Sequence, residues 1–556
     1  MRSINVRDYG ILPGEGRDNV FALRSLLDEI RPEDGIELVF PEGIYHFFEE
    51  NAAEILLFIP NHDEDGIKKV AFDLTGMKHL TITGNHSTFQ FHTELIPFLI
   101  RDCDTVEIRG ISLDYVRPGY SQGVILSCSP MSMTIQVDPK EFPYFVKGRR
   151  LYFVGENYCH ELVRWMELDK DFQKPVYGLV DRTFNLEDAG EAALWSEIEP
   201  GVLKVELMEG ERPFEEDSKP GDYLILRHHP RSAPAFYAEN STRISLTDVD
   251  IYHATGMGVI AQRTEDMVLC RVRIMRHPIK KHVFSAEADG LHFVSCKGMI
   301  RIKDCLIENQ LDDPINIHGV YGKIVKVMEN GSFFVRLVHH QQKGAILLKD
   351  GEPFRLLDPE TMLPVAESAA VHVKRLNRDV LLVEPRDILP SVKEGWALEN
   401  MEWIPDVLIE GCTMRNNRAR GILPTSAGEV VIRNNVFQVP GAGVLIEGDC
   451  RSWFESGAVK HIQILDNLFD CCAYIPNWGY APIQISPGTS RYVEGKAYHG
   501  TVEIRKNTFR CMDKRLLFAK NVETILWKDN IIEHADTYPP NDGEAFTLEH
   551  VLNVKR

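Results

Sequence analysis

From Ile244 onward the chain repeats one six-residue phrase: an apolar residue, two variable residues, a Val, Cys or Asn, one variable residue, and a second apolar residue. It reads Leu246-Val249-Ile251, Leu269-Val272-Ile274, Ile302-Cys305-Ile307 and Ile409-Cys412-Met414. It continues as Ile432-Asn435-Phe437, Ile464-Asn467-Phe469, Ile504-Asn507-Phe509 and Trp527-Asn530-Ile532. Uninterrupted copies recur every 23 to 40 residues, too short for separate domains and right for the coils of a solenoid. Each copy is followed by turn residues, and several then open a second short strand with Gly, as in Gly290-Leu291-His292-Phe293, Gly421-Ile422-Leu423 and Gly443-Val444-Leu445-Ile446. Period-2 strands without intervening helices predict an all-β fold, a right-handed parallel β-helix. Stacking the coils places the Val/Cys/Asn column in one inward ladder, apolar early and hydrogen-bonded through Asn amides late. Cys305 and Cys412 are thereby read as buried core thiols, not nucleophiles or ligands.

An open β-helix end exposes strand edges and core side chains, so a cap is expected. Asp18, followed by Val20, Leu23, Leu26, Leu27 and Ile30, predicts an N-capped amphipathic helix that covers it. Two stretches break the rhythm, 115–232 and 320–402, with alternating apolar residues and many turn signals. They predict two inserted antiparallel β modules overhanging one face of the solenoid. The expected organisation is a cap and first coils over 1–114, module 1 over 115–232, central coils over 233–319, module 2 over 320–402 and C-terminal coils over 403–556.

Two adjacent coils carry Asp289-Gly290-Leu291-His292 and Asp312-Asp313-Pro314-Ile315-Asn316-Ile317-His318-Gly319. Asp289 precedes Asp312 by 23 residues and Asp313 by 24, one coil apart. Stacked strands lie about 4.8 Å apart, so Asp289 is expected directly beside one member of the pair, with the other displaced by a residue. Carboxylates so close repel one another, which raises at least one pKa and retains a proton near neutral pH. That suits glycoside hydrolysis, in which one carboxylic acid protonates the leaving oxygen and a carboxylate activates water. Two other readings of the same residues are turn chemistry of Asp before Gly or Pro and a calcium site.

The triplet is similar to that of polygalacturonases, inverting β-helix hydrolases with three aspartates on adjacent coils. The chain resembles glycoside hydrolase family 110 still more closely: exo-acting α-1,3-galactosidases built as a β-helix with two inserted β modules. Shared text includes Asp312 to Gly319, Arg231-Ser232-Ala233-Pro234-Ala235-Phe236, Glu447-Gly448-Asp449 and Trp453-Phe454-Glu455-Ser456-Gly457. The resemblance implies Asp289, Asp312 and Asp313 as catalytic residues, inversion at the anomeric carbon, a terminal α-linked galactose on a glycan as substrate, and neither metal nor cofactor. The polygalacturonase-like pattern assigns Asp312 as general acid, with Asp289 and Asp313 activating water. Pectin itself fits less well, because Arg301-Ile302-Lys303 precedes the Asp pair instead of following a downstream Gly-His-Gly. Expected substrate-binding residues are His292, Asn316, His318, Arg420, Glu447 and Glu455, with Trp453 as an aromatic platform for an apolar sugar face. His228 and His229, just after module 1, are weaker candidates for overhanging the cleft. The competing functions are an endo-acting hydrolase or lyase on pectin- or carrageenan-like polymers, and a non-catalytic carbohydrate-binding β-helix. Pure binding gains nothing from crowded carboxylates, and walls on both sides of a groove favour exo over endo action.

Bulk properties narrow the partners. Lys plus Arg number 62 against 82 Asp plus Glu, a net charge of −20, which opposes broad attraction to nucleic acid or anionic membranes. No run of about 18 apolar residues is present, and the N-terminal text has no apolar signal core. The chain as written is therefore expected to be cytoplasmic, or secreted or periplasmic if a leader has been removed. Eleven scattered cysteines without CxxC pairs indicate neither a disulfide framework nor a structural zinc site. Self-association as a homo-oligomer is compatible with the sequence.

Overall fold

A computed structural model describes residues 1–63, 65–171, 173–178, 181–184, 192–214, 218–228, 230–389 and 392–556. Strands dominate, and they stack as three parallel ladders. One ladder runs from Asp34–Val39 through Lys78–Phe91, Asp104–Tyr115, Thr242–Ile251, Glu265–Ile274, Lys297–Lys303, Pro405–Glu410, Glu429–Arg433, His461–Leu465 and His499–Arg505 to Leu517–Lys528. A second joins the short strands Leu306–Glu308, Thr413–Arg415, Val436–Gln438, Leu468–Asp470 and Thr508–Cys511. The third passes through Ile96–Arg101, Phe236–Glu239, Val259–Gln262, Leu291–Val294, the start of Ile315–Val327, Ile422–Pro424, Val444–Ile446 and Ile483–Ile485. Successive coils visit the ladders in the same order, which is a parallel β-helix.

The repeated phrase spans the corner between the first two ladders, and its copies stack in register: Leu246 beside Leu269, Leu269 beside Ile302, Ile302 beside Ile409, and onward to Ile504 beside Trp527. The residue before the Val/Cys/Asn column takes a left-handed conformation in every copy, including Asp248, Arg271, Asp304, Asn434, Asp466, Lys506 and Asp529, with Gly411 in the fourth. This turns the chain sharply inward and aims the next side chain at the core. The late column is a hydrogen-bonded amide ladder: Nδ2 of Asn435 donates to Oδ1 of Asn467 at 3.0 Å, Asn467 to Asn507 at 3.0 Å, and Asn507 to Asn530 at 3.1 Å. Cys305 and Cys412 are buried above it. Beside this ladder the rings of Phe437, Phe469 and Phe509 stack at 4.8 and 4.9 Å.

The helix Val20–Ile30 adds Val20, Leu23, Leu26, Leu27 and Ile30 to the same apolar core. Asp18, expected as its capping residue, accepts the Val20 N–H at 2.9 Å, while Asn19 holds the cap position itself.

Both stretches that interrupt the repeat are antiparallel. Seven strands between Tyr120 and Arg227 form one sheet around their own apolar cluster, with a three-stranded sheet from Tyr144 to Glu161 beside it. In the second stretch, Ile315–Val327 leaves the parallel ladder and pairs with Phe333–Arg336 and with Ala397–Asn400. Phe333–Arg336 pairs with Val380–Pro385, which pairs with Pro364–Arg375; that strand pairs with Pro353–Leu357, which returns to Ala397–Asn400. The six strands close into a ring, so each of them is paired on both sides.

Candidate active site

Parallel register carries the aspartates to one place. Leu291 lies beside Ile315 and Ile315 beside Ile422. The residues two positions earlier, Asp289, Asp313 and Arg420, therefore form a column just ahead of the third ladder, and Asp312 is displaced from it by one residue. Backbone bonds fix this entry: Gly290 N donates to Asp313 O at 2.9 Å, and Asp313 N to Asp289 Oδ1 at 3.3 Å. Gly290 is required there, since a Cβ would stand 2.8 Å from Pro314 O and 2.6 Å from an Ile307 methyl.

One oxygen from each of Asp289, Asp312 and Asp313 lies within 4.8 Å of the other two. They line a cavity of about 250 Å³ together with His292, Asn316, Arg420, Glu447, Trp453 and Glu455. Of the expected site residues only His318 does not line it. That ring is buried behind His292, its Nε2 2.8 Å from His292 Nε2 and its Nδ1 2.7 Å from Gly319 O. His292 in turn places Nδ1 2.6 Å from Asp289 Oδ2, so both histidines serve a carboxylate before they serve any sugar hydroxyl. Among the weaker candidates, buried His228 contacts Ser121 Oγ at 3.0 Å and does not line the cavity, and His229 lies outside the described residues.

The cavity also holds residues the sequence reading left out: Asn61, Arg164, Arg231, Arg418 and Trp478. Arg231 donates to Asp312 Oδ2, and Arg418 stands 3.9 Å from Asp312 Oδ1. Asp313 receives three donors from Arg420: the backbone N at 2.8 Å, Nε at 3.0 Å and Nη2 at 2.6 Å. The guanidiniums of Arg418 and Arg420 pack on the Trp478 ring, 4.5 and 5.6 Å from its centroid. Arg231 was visible in the Arg231-Ser232-Ala233 text, and Arg418 stands two residues from Arg420; neither position carries a repeat signal that would set it apart from surface arginines.

These partners separate the three carboxyl groups. Burial pushes Asp289 up to about 7, with the neighbouring Asp312 charge adding to the effect. Burial also opposes the Asp312 charge, but Arg231, Arg418 and Arg420 outweigh it and hold that group down at about 2. Asp313 is raised by burial to about 6, against the Arg420 pairing. His292 is driven down to about 3 by burial and the Arg231 charge, and His318 is lowered by burial. These surroundings favour the charged form of Asp312 and the protonated form of Asp289, the reverse of what is expected of a general acid at Asp312.

Trp453, 46% exposed, stands at the rim. Its loop is folded onto Asp449, whose carboxylate accepts the backbone N–H of Arg451, Ser452 and Trp453 at 2.9, 2.7 and 2.6 Å. His339, on the second antiparallel segment, packs against the indole at 4.4 Å. Asn61, from an early coil, donates to Glu455 Oε1 at 3.3 Å. Glu447 and Glu455 are both raised by burial. The spacing of the three aspartates could also span a hard cation, yet two of them already face guanidinium groups and the third bonds His292.

Residues 121–224 match the family model described as GLAA-B beta-barrel domain I. An α-1,3-galactosidase A of Shewanella woodyi is 32% identical, over 99% of this chain and 89% of that protein. An α-1,3-galactosidase B of Bacteroides thetaiotaomicron is 31% identical, again over 99% and 89%. Among solved structures, a family 28 exopolygalacturonase of Yersinia enterocolitica is similar at a TM-score of 0.37 with 10% identity, covering 99% of this chain and 78% of that one.

Proposed function

We propose, on the premise that the chain belongs to the α-1,3-galactosidase family, that it is an inverting exo-glycosidase that removes terminal α-1,3-linked galactose from glycans without a metal ion. The observation that carries this reading is the convergence of three buried aspartates at one small cavity with an aromatic rim. Module 1 contributes Arg164 to that cavity and module 2 braces the Trp453 loop through His339, an enclosure that suits a chain end better than a polymer passing through.

Oxygen spacing this short would ordinarily suggest retention, for which two carboxyl groups about 5–5.5 Å apart suffice. Inversion is supported by the presence of three carboxylates and by their arrangement. Asp289 and Asp313 stand in one column, where both can hold an attacking water, and the displaced Asp312 faces the leaving oxygen as general acid. The resting charges favour a second reading, in which Asp289 carries the acid's proton while Asp312 and Asp313 remain ionised beside their arginines. Asp289→Asn and Asp312→Asn, assayed on a galactosyl-α-1,3-galactoside and on nitrophenyl α-galactoside, separate the two. Each substitution is expected to lower kcat on the natural linkage by at least about 10²-fold. Nitrophenolate leaves without a proton, so the acid variant keeps at least about tenfold more of its activity on the nitrophenyl substrate. A well-folded variant that retains more than a tenth of wild-type kcat on both substrates would remove its residue from the mechanism.

The same proposal covers the architecture: right-handed coils, the sense that parallel crossovers take, with 115–232 and 320–402 as modules inserted between the solenoid segments 1–114, 233–319 and 403–556. The substrate class makes a galactose-terminated glycan the partner.

A further inference from the structure

Gly319 O, His318, His292 and Asp289 form a row of three contacts at 2.7, 2.8 and 2.6 Å. All three residues are buried, and each contact in the row is made directly between protein atoms. A contact of that length between two nitrogen or oxygen atoms needs a proton in it, because two lone pairs at 2.8 Å repel. Three contacts therefore need three protons, and the carbonyl supplies none. An ionised aspartate with two neutral imidazoles holds only two.

We infer that His292 and His318 are positioning residues that hold a third proton in this row and lodge it on Asp289. The polarity follows from the fixed end. Gly319 O only accepts, so His318 carries its proton on Nδ1 and, as a neutral ring, leaves Nε2 bare. His292 must then present Nε2–H to His318, which leaves its own Nδ1 bare toward Asp289, and the remaining contact is made by an Asp289 O–H. Placing the third proton on His292 instead would create an imidazolium beside Arg231, and placing it on His318 would create one facing Glu455, a carboxyl that burial itself holds toward its neutral form; either way Asp289 would be ionised 2.6 Å from His292. Burial disfavours that charged arrangement and lowers both histidines while raising Asp289. The charged and titratable groups facing the row are Arg231, Asp312, Asp313 and Arg420 on the cavity side, His62 beside His292, and Glu455, whose Oε1 is 3.4 Å from His318 Nε2.

The inference deepens the proposed function and rests on it only for its kinetic consequence. Nitrogen-15 NMR of the histidine-labelled full chain, with the two rings assigned from the signals lost in His292→Gln and His318→Gln, reads the proton positions without any substrate. His318 protonated on Nδ1 and His292 on Nε2, both neutral at pH 6 to 7, is the expected result. A cationic ring, or His292 protonated on Nδ1, overturns the inference. In the pH profile of kcat/KM, His318→Gln retains an acceptor for His292 and should leave the Asp289 ionisation in place. His318→Phe removes the acceptor and frees His292 to turn a donor toward Asp289, which should move that ionisation down by at least about one pH unit. Equal shifts in both variants, or none in either, would mean that the rings only fill space. Correct tautomers in a protein that cleaves no galactoside would leave this inference standing and sink the proposed function instead.

Discussion

Replacing Arg420 by Met keeps much of the side-chain volume but strips Asp313 of two side-chain donors while it stays 1% exposed. Removing one partner of a buried ion pair costs about 3–5 kcal/mol when the other stays charged. Asp313 can escape part of that by taking a proton, so the cost should depend on pH. Its folded value, about 6, lies above its ordinary 3.8. Ionisation therefore costs stability as pH rises from the lower value, and in the wild type that cost stops growing at about pH 6. Without Arg420 the folded value is higher still, and the cost keeps growing by about 1.4 kcal/mol per pH unit. Below pH 6 the carboxyl is neutral in both proteins, and only a constant packing loss separates them. With the variant's carboxyl still protonated up to pH 8, the variant should be less stable there by roughly a further 3 kcal/mol. Denaturant unfolding of wild type and Arg420→Met at pH 5.5 and 8 measures this directly. An equal deficit at the two pH values would refute the reasoning, because Asp313 would then not be the group that Arg420 holds in its charged form.

Two further outcomes are expected. Asn467→Leu removes the oxygen that accepts the Asn435 backbone N–H at 2.9 Å and one Asn435 amide hydrogen at 3.0 Å, while the other amide hydrogen keeps Ile409 O; at about 1–3 kcal/mol for each of the two unsatisfied N–H groups, chemical denaturation should show a loss of roughly 2–6 kcal/mol, with kcat unchanged in the folded fraction. Dialysis against a chelator should leave galactoside hydrolysis intact, whereas a loss restored by calcium would make the aspartate cluster a cation site.

The solenoid was legible because a buried repeat writes the same chemistry at every coil: apolar residues at the phrase ends and an inward Val, Cys or Asn between them. The corner conformation was not legible, since left-handed backbone is borne by Asp, Arg, Asn and Lys alike across the copies, and only the stacked geometry makes the common constraint visible. Spacing also sufficed to place Asp289 beside one of its partners, because in a parallel ladder register converts sequence separation into distance. It could not say which partner, as 23 and 24 residues are equally good coil lengths; the Leu291 to Ile315 pairing selects Asp313. Two of the cavity residues were hidden for a different reason. Arg231 arrives from the end of one long interruption and Asn61 from an early coil, and neither is related to the aspartates by the repeat. His318 was expected to touch the substrate, but it pairs with Val294, two residues past the His292–Asn316 pair, which sets it behind the His292 ring, where the Gly319 carbonyl orients it.

The most direct measurement is proton NMR of the anomeric signals during the first minutes of reaction with a galactosyl-α-1,3-galactoside, before mutarotation mixes the products. Release of galactose whose first signal is the β-anomer is the predicted result, with water attacking the anomeric carbon from the face opposite the leaving oxygen. Initial appearance of the α-anomer would make one of these aspartates a nucleophile, and no release of galactose at all would contradict the exo-galactosidase reading itself.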